Sequence, residues 1–255
     1  MSNTALITGA SSGIGRELAR YHAHMGGDLI ITARREAELI SLKAELEAAH
    51  NVKVKTVALD LAAEGGAVAL YEATKEQTIE ILINNAGFGG HGKFLDRDIT
   101  ADQGMIDLNI SALVTLCHLV GKDMVARGRG KVLNVSSTAA YQPGPLQATY
   151  FATKAFVSSL SPALDYEWRP SGVTVTALEP GFVKTEFAEV AAMGHIEKTK
   201  FGATPESVAK FGYDAMLKGK LRVINDPKMR FMLNWLVPLL PRRMVLQMVY
   251  DIQAK

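Results

Sequence analysis

Seven short runs rich in Val, Ile, Leu, Ala and Thr recur along the chain, with longer helical patterns between them, and this alternation constrains the fold more than any other feature. The runs are Ala5–Thr8, Asp28–Thr32, Val52–Ala58, Ile79–Asn84, Lys131–Ser136, Val173–Leu178 and Leu221–Ile224. Strands alternating with helices predict βαβ units, because a parallel connection must recross the sheet. The early runs are apolar at almost every position, as in strands buried on both faces. The expected fold class is therefore α/β, a doubly wound parallel sheet of about seven strands with helices on both faces. Helices are expected over Glu36–His50, Asp102–Arg127 and Thr149–Arg169.

No Pro/Gly/Ser linker divides the 255 residues, so 1–255 is read as a single domain. With 48% apolar and 21% charged residues, the chain can bury a large core. Lys and Arg total 28 against 26 Asp and Glu, and a net charge of +2 argues against nucleic acid as a partner and for small molecules. The one cysteine, Cys117, lies between Leu116 and His118, with Leu119 beyond, and excludes an intrachain disulfide. Met1-Ser2-Asn3-Thr4 leads into the first strand without a basic region, which predicts a cytoplasmic protein without a signal peptide. His22 and His24, two apart on a helix, point away from each other, and no metal set is expected.

The first strand runs into Thr8-Gly9-Ala10-Ser11-Ser12-Gly13-Ile14-Gly15, and a helical pattern starts at Arg16. In such a strand-turn-helix setting Gly9 permits a tight turn, Gly13 lets backbone approach a pyrophosphate and Gly15 permits close helix packing. Free N–H groups and the helix dipole favour an anion there. After the second strand, Thr32-Ala33-Arg34-Arg35 stands where a ribose 2′-hydroxyl would call for an acid. Two guanidinium forks suit a 2′-phosphate instead, so NADP(H) is the expected cofactor.

Tyr150-Phe151-Ala152-Thr153-Lys154 sets a phenol and an ammonium four apart, on one helix face. A phenol of pKa about 10 needs a nearby positive charge to gain phenolate character near neutrality. Tyr71-Glu72-Ala73-Thr74-Lys75 has the same spacing, but only Tyr150 follows a strand ending in Asn134-Val135-Ser136-Ser137, and Tyr71 is read as a surface residue.

The glycine spacing, Asn84-Asn85-Ala86-Gly87 and the Tyr150/Lys154 pair together resemble the short-chain dehydrogenase/reductase family, over about Thr4–Ile224. That resemblance implies a Rossmann-like NADP-dependent oxidoreductase moving a hydride between nicotinamide and a carbonyl or alcohol. It implies Tyr150 as general acid/base, Ser137 thirteen residues earlier as partner of the substrate oxygen with Ser136 as the alternative, and Asn109 holding a water for a relay to Lys154. Implied cofactor contacts are Gly9, Ser11, Ser12, Gly13, Ile14, Gly15, Arg34, Arg35, Asp60, Leu61, Asn85, Ala86, Gly87, Tyr150, Lys154, Pro180, Gly181, Val183 and Thr185. Residues 186–204 are then a substrate lid whose Phe187, Met193 and Phe201 suggest an apolar substrate. Similar proteins form homodimers or homotetramers through the two long helices, to which Leu113, Leu116 and Val120 would contribute here. A nonenzymatic NADP-binding regulator is the alternative, but it would not need the four catalytic positions, all of which are filled.

The extension 227–255 is both apolar and basic, and Pro238 and Pro241 divide it into two short helical pieces. Docking near the lid or on another subunit is the favoured covering, and peripheral attachment to an anionic membrane the other.

Overall fold

The computed structural model describes residues 3–187, 191 and 202–254. Seven strands, β1 (Thr4–Thr8), β2 (Leu29–Ala33), β3 (Val54–Ala58), β4 (Ile79–Asn84), β5 (Gly130–Val135), β6 (Val173–Leu178) and β7 (Arg222–Val223), form one sheet in the order β3-β2-β1-β4-β5-β6-β7. Every pairing is parallel. The order reverses between β1 and β4, which opens a crevice at their carboxyl ends where a ligand can enter.

Helices α1 (Gly13–His24), α2 (Glu36–Ala49) and α7 (Pro205–Leu217) cover one face. Leu18, Leu39, Leu42, Leu46, Val208 and Tyr213 are buried there against Ile7, Ile31 and Ile83. His22 on α1 is a core residue that reaches the Tyr213 hydroxyl at 2.6 Å and the Asn3 carbonyl at 2.9 Å. The other face carries α3 (Gly66–Thr74), α4 (Ile99–Ile106), α5 (Leu113–Arg127) and α6 (Ala148–Trp168). Leu6, Leu82, Val132 and Val175 point that way, showing the expected burial on both sheet faces.

Leu113, Leu116 and Val120 also lie in this second core, at 6%, 1% and 1% exposure. Their assignment to a subunit contact is therefore corrected, because the apolar stripe of α5 is spent on its own sheet. Cys117 beside them is buried, and burial pushes its thiol up to about 12, so it packs as an inert side chain.

The expected helix Asp102–Arg127 differs in one place: a π turn over Asp107–Ala112 joins α4 to α5. The Asn109 amide explains the bulge. It donates to the Phe88 carbonyl at 3.0 Å and accepts from the Phe88 N–H at 3.1 Å, so side-chain bonds to a loop replace regular helical register.

The extension starts with α8 (Pro227–Phe231) and continues through a π turn (Met232–Leu236) and a 3-10 turn (Val237–Leu239) before α9 (Arg242–Gln253). Pro238 sits at the start of the 3-10 turn, where no intrahelical N–H bond is required, so the break falls only at Leu240–Pro241. Helix α9 docks on the protein: Val245 and Val249 are buried with Met105, Ala139, Tyr150 and Phe151. Each such valine contributes about 1.5–3 kcal/mol.

Candidate active site

The first turn is held from below. Thr8 Oγ1 accepts the N–H groups of Asn85 and Ala86, each at 3.0 Å, while Asn85 Nδ2 donates to the Thr8 and Gly9 carbonyls at 3.0 and 3.2 Å. Backbone crowding explains the glycines. A Cβ on Gly15 would lie 2.3 Å from the Gly9 carbonyl, and one on Gly9, at φ +68°, would lie 2.8 Å from Ala86 Cα. Helix α1 begins without a side-chain cap, so its first N–H groups face the crevice, as an anion site requires.

One cavity of about 690 Å³ runs from this turn to Phe187 and Gln253. Gly9, Ser11, Ser12, Gly13 and Ile14 line one end with Arg34, Arg35, Asp60 and Leu61; Asn85, Ala86, Gly87, Pro180, Gly181, Val183 and Thr185 line the middle. Gly15 stands behind the wall as the packing residue. At the glycine-turn end Arg35 donates to Ser11 Oγ at 3.1 Å and pairs with Glu186 at 3.0 Å, and Arg34 stands 4.0 Å from Asp60 with its side chain 75% exposed. Ala33 places no carboxylate between them. Arg16, which the sequence reading did not single out, donates to the Ser11 carbonyl at 2.6 Å and pairs with Glu38.

The other end brings Ser137, Tyr150 and Lys154 together. The two serines separate by strand alternation. Both serines reach the cavity wall, but the Ser136 hydroxyl turns inward, donating to the Lys154 carbonyl at 2.8 Å and meeting Ser158 at 2.8 Å, whereas the Ser137 hydroxyl faces Tyr150 and favours its phenolate. Ser158 donates to Glu179 at 2.6 Å, and this fully buried carboxylate also receives Arg222 at 2.9 Å and the Tyr141 hydroxyl at 2.7 Å. The backbone beneath Lys154 is thus tied to a buried carboxylate that Arg222 pairs with from the surface.

Lys154 Nζ donates to the Val135 carbonyl at 3.0 Å and lies 5.8 Å from the Tyr150 ring centroid. It therefore acts on the phenol through its field rather than through a direct bond. Burial pushes the Tyr150 phenol up to about 12, only partly offset by the Ser137 bond, and draws the Lys154 ammonium down to about 8. The protein by itself keeps the phenol protonated at neutral pH, the form that donates a proton.

Asn109 shares the neighbourhood, since a Cβ on Gly87 would lie 2.9 Å from its Oδ1 and 3.5 Å from Lys154 Nζ. Its amide is already engaged by Phe88 and by Thr153 Oγ1 at 3.1 Å. Tyr71 is remote from the cavity, half-buried on α3 with its hydroxyl 2.9 Å from Asp123.

Phe88, Leu108, Phe151 and Phe187 form an apolar wall at this end of the cavity with Gln142, Gln147, Ile252 and Gln253. Met193 and Phe201 of the expected lid lie outside the described residues. Gln253 comes from the last turn of α9: its side chain accepts from Gln147 Nε2 at 2.5 Å, and its carbonyl accepts from His91 at 2.8 Å. The last turn of α9 thus lines the cavity, but nothing in the local pattern around Gln253 points to Gln147.

Sheet order, glycine cradle and buried Tyr/Lys pair define a nicotinamide dinucleotide-dependent oxidoreductase. Residues 3–194 match the model of the short chain dehydrogenase family. The chain is 37% identical over 198 residues to sulfoacetaldehyde reductase 2 of Chromohalobacter salexigens, covering 76% of this chain and 78% of that one. A short-chain dehydrogenase from Sphingobium yanoikuyae in complex with NADPH superposes with TM-score 0.86 at 31% identity, covering 95% of this chain and 94% of that one. A bulky-bulky ketone specific alcohol dehydrogenase from Comamonas testosteroni gives TM-score 0.81 at 27% identity, with 94% and 95% covered. The chain belongs to the short-chain dehydrogenase/reductase family.

Proposed function

We propose that this protein is an NADP(H)-dependent reductase or dehydrogenase of apolar ketones and secondary alcohols, with Tyr150 as its proton donor and acceptor. The observation that carries this reading is the single cavity joining the glycine cradle to Ser137, Tyr150 and Lys154. When bound, the nicotinamide supplies or accepts the hydride. Ser137 donates to the substrate oxygen and steadies the charge gathering there, and Tyr150 delivers the proton to it. Lys154 stabilises the resulting phenolate by its charge. Asn109 acts by fixing the Phe88 loop and Thr153, and so the wall beside Lys154.

Arg34 and Arg35 support NADP(H) in particular, because two cations flank a pocket that lacks an acid at Ala33. The aromatic wall supports an apolar substrate. Gln142 Oε1, buried there without a protein partner, favours one that carries a hydrogen-bond donor away from its carbonyl. Homodimers or homotetramers are supported by Ile106, Val114, Phe156 and Tyr166, apolar or aromatic residues exposed on α4, α5 and α6.

Cofactor titration tests the phosphate clamp. Ala33→Asp with Arg34→Leu should weaken NADPH and strengthen NADH, reversing a preference of roughly tenfold or more. Equal affinity of the parent for both cofactors would remove the argument.

A further inference from the structure

Docking of α9 covers only half of the apolar extension. Before it, Phe231, Trp235 and Leu239 recur at four-residue intervals along the helical run, 59%, 68% and 82% exposed, with Met232 and Leu236 beside them at 41% and 48%. A monomer has no use for so large an exposed aromatic and aliphatic stripe. Asn234, Pro227 and Arg230 join Phe231 and Trp235 around a shallow surface concavity.

Charge indicates what covers the stripe. From Pro227 to Tyr250 the sequence has four cations, Lys228, Arg230, Arg242 and Arg243, and no carboxylate. These four exceed the whole net charge of +2, so the rest of the chain is net acidic. All four are exposed, and none forms an ion pair among the described residues. A second copy meeting this face across a two-fold axis would set four cations against four, with only the flanking Asp226 and Asp251 to offset them. An anionic lipid surface takes both components at once, the apolar side chains among the acyl chains and the cations among the headgroups.

The two ends of the extension that carries the stripe also border the substrate cavity. Met229 packs beside Gly181 of the cavity wall, where a Cβ would lie 3.2 Å from its Sδ, and Ile252, 62% exposed, lines the cavity from the far end of the extension. Phe94, Leu95 and Ile99, exposed at 56%, 92% and 58%, stand on the segment that His91 ties to Gln253. We infer that the Phe231–Arg243 segment is a peripheral membrane anchor that sets the substrate cavity beside an anionic lipid surface. An apolar substrate dissolved in lipid then reaches the cavity without crossing water, a consequence that rests on the catalytic reading. The attachment itself is measured without turnover.

The test is sedimentation of the full chain with vesicles of phosphatidylcholine alone and of phosphatidylcholine with about a third phosphatidylserine. Pelleting is expected only with the anionic vesicles and should fall as salt rises from about 0.05 to 0.5 M. Trp235→Glu with Leu239→Glu should abolish it. Arg242→Glu with Arg243→Glu should lower partitioning at least about twenty-five-fold, as roughly fivefold per cation implies. Both variants should keep NADPH affinity and turnover of a water-soluble ketone, which shows that they are folded. Failure to pellet, or equal pelleting with both vesicle types, overturns the inference. So does a concentration-dependent dimer that the same variants dissociate while vesicle binding is absent, since a second copy would then be the occupant.

Discussion

Tyr150→Phe should lower kcat for ketone reduction by at least about a hundredfold while leaving NADPH affinity nearly unchanged. The substitution removes one hydroxyl from a ring that stays packed between Phe151 and Phe187, so the cavity keeps its shape and loses its proton. Tyr71→Phe, with the same local spacing to a lysine but a hydroxyl directed at Asp123, should have little effect. The pH profile offers a companion reading. Lys154, drawn down to about 8 by burial, carries its charge below that value and loses it above. Reduction needs the charged form to stabilise the phenolate left after proton transfer, so its kcat should fall as pH rises through about 8. Near-normal turnover in the Tyr150 variant would refute the assignment of the proton donor.

The largest stability effect is expected away from the reacting atoms. Glu179 is fully buried and receives Arg222, Ser158 and Tyr141. Glu179→Ala would leave two hydroxyls without their shared partner and a guanidinium that is 37% exposed and so partly solvated, a loss of about 2–3 kcal/mol. Glu80→Ala breaks a pair with Arg129, whose side chain is 54% exposed and solvated, and should shift stability far less. Urea unfolding of the two variants compares them directly. Similar midpoints would mean that the buried network does not hold β6, β7 and α6 together. The Glu179 variant should also lose activity, since Ser158 and Ser136 link this carboxylate to the backbone carrying Lys154.

Much of this arrangement was legible in the sequence because it depends on local pattern. The strand boundaries fall within two residues of the apolar runs at every end, and β3 and β7 each shrink by two residues, β7 to Arg222–Val223 at the sheet's edge. The glycine turn, the arginines after β2 and Tyr150 with Lys154 all lie at strand ends or on one helix face, where spacing alone carries the information. Ser137 could be preferred to Ser136 only by family resemblance, and the structure separates them by the face of the chain each occupies.

What was hidden depends on contacts between distant segments. The π turn at Asn109 leaves the apolar stripe of its helix intact, so periodicity shows one continuous helix. Leu113, Leu116 and Val120 form a stripe that reads alike whether it meets its own sheet or a partner. Glu179 resembles an ordinary turn residue until Arg222, forty-three positions later, is brought against it. Gln253 reaches Gln147 across 106 positions, a pairing that composition and local pattern do not encode.

The central claim is that the cradle and the Tyr150/Lys154 site act together on a carbonyl. Following NADPH fluorescence while the protein meets a panel of apolar aryl and alicyclic ketones tests it most directly. The account predicts stoichiometric conversion of ketone to secondary alcohol as NADPH is consumed. Tight NADPH binding with no consumption across the panel, and none in the reverse direction with NADP+ and the matching alcohols, would contradict it and favour a nonenzymatic NADP-binding regulator.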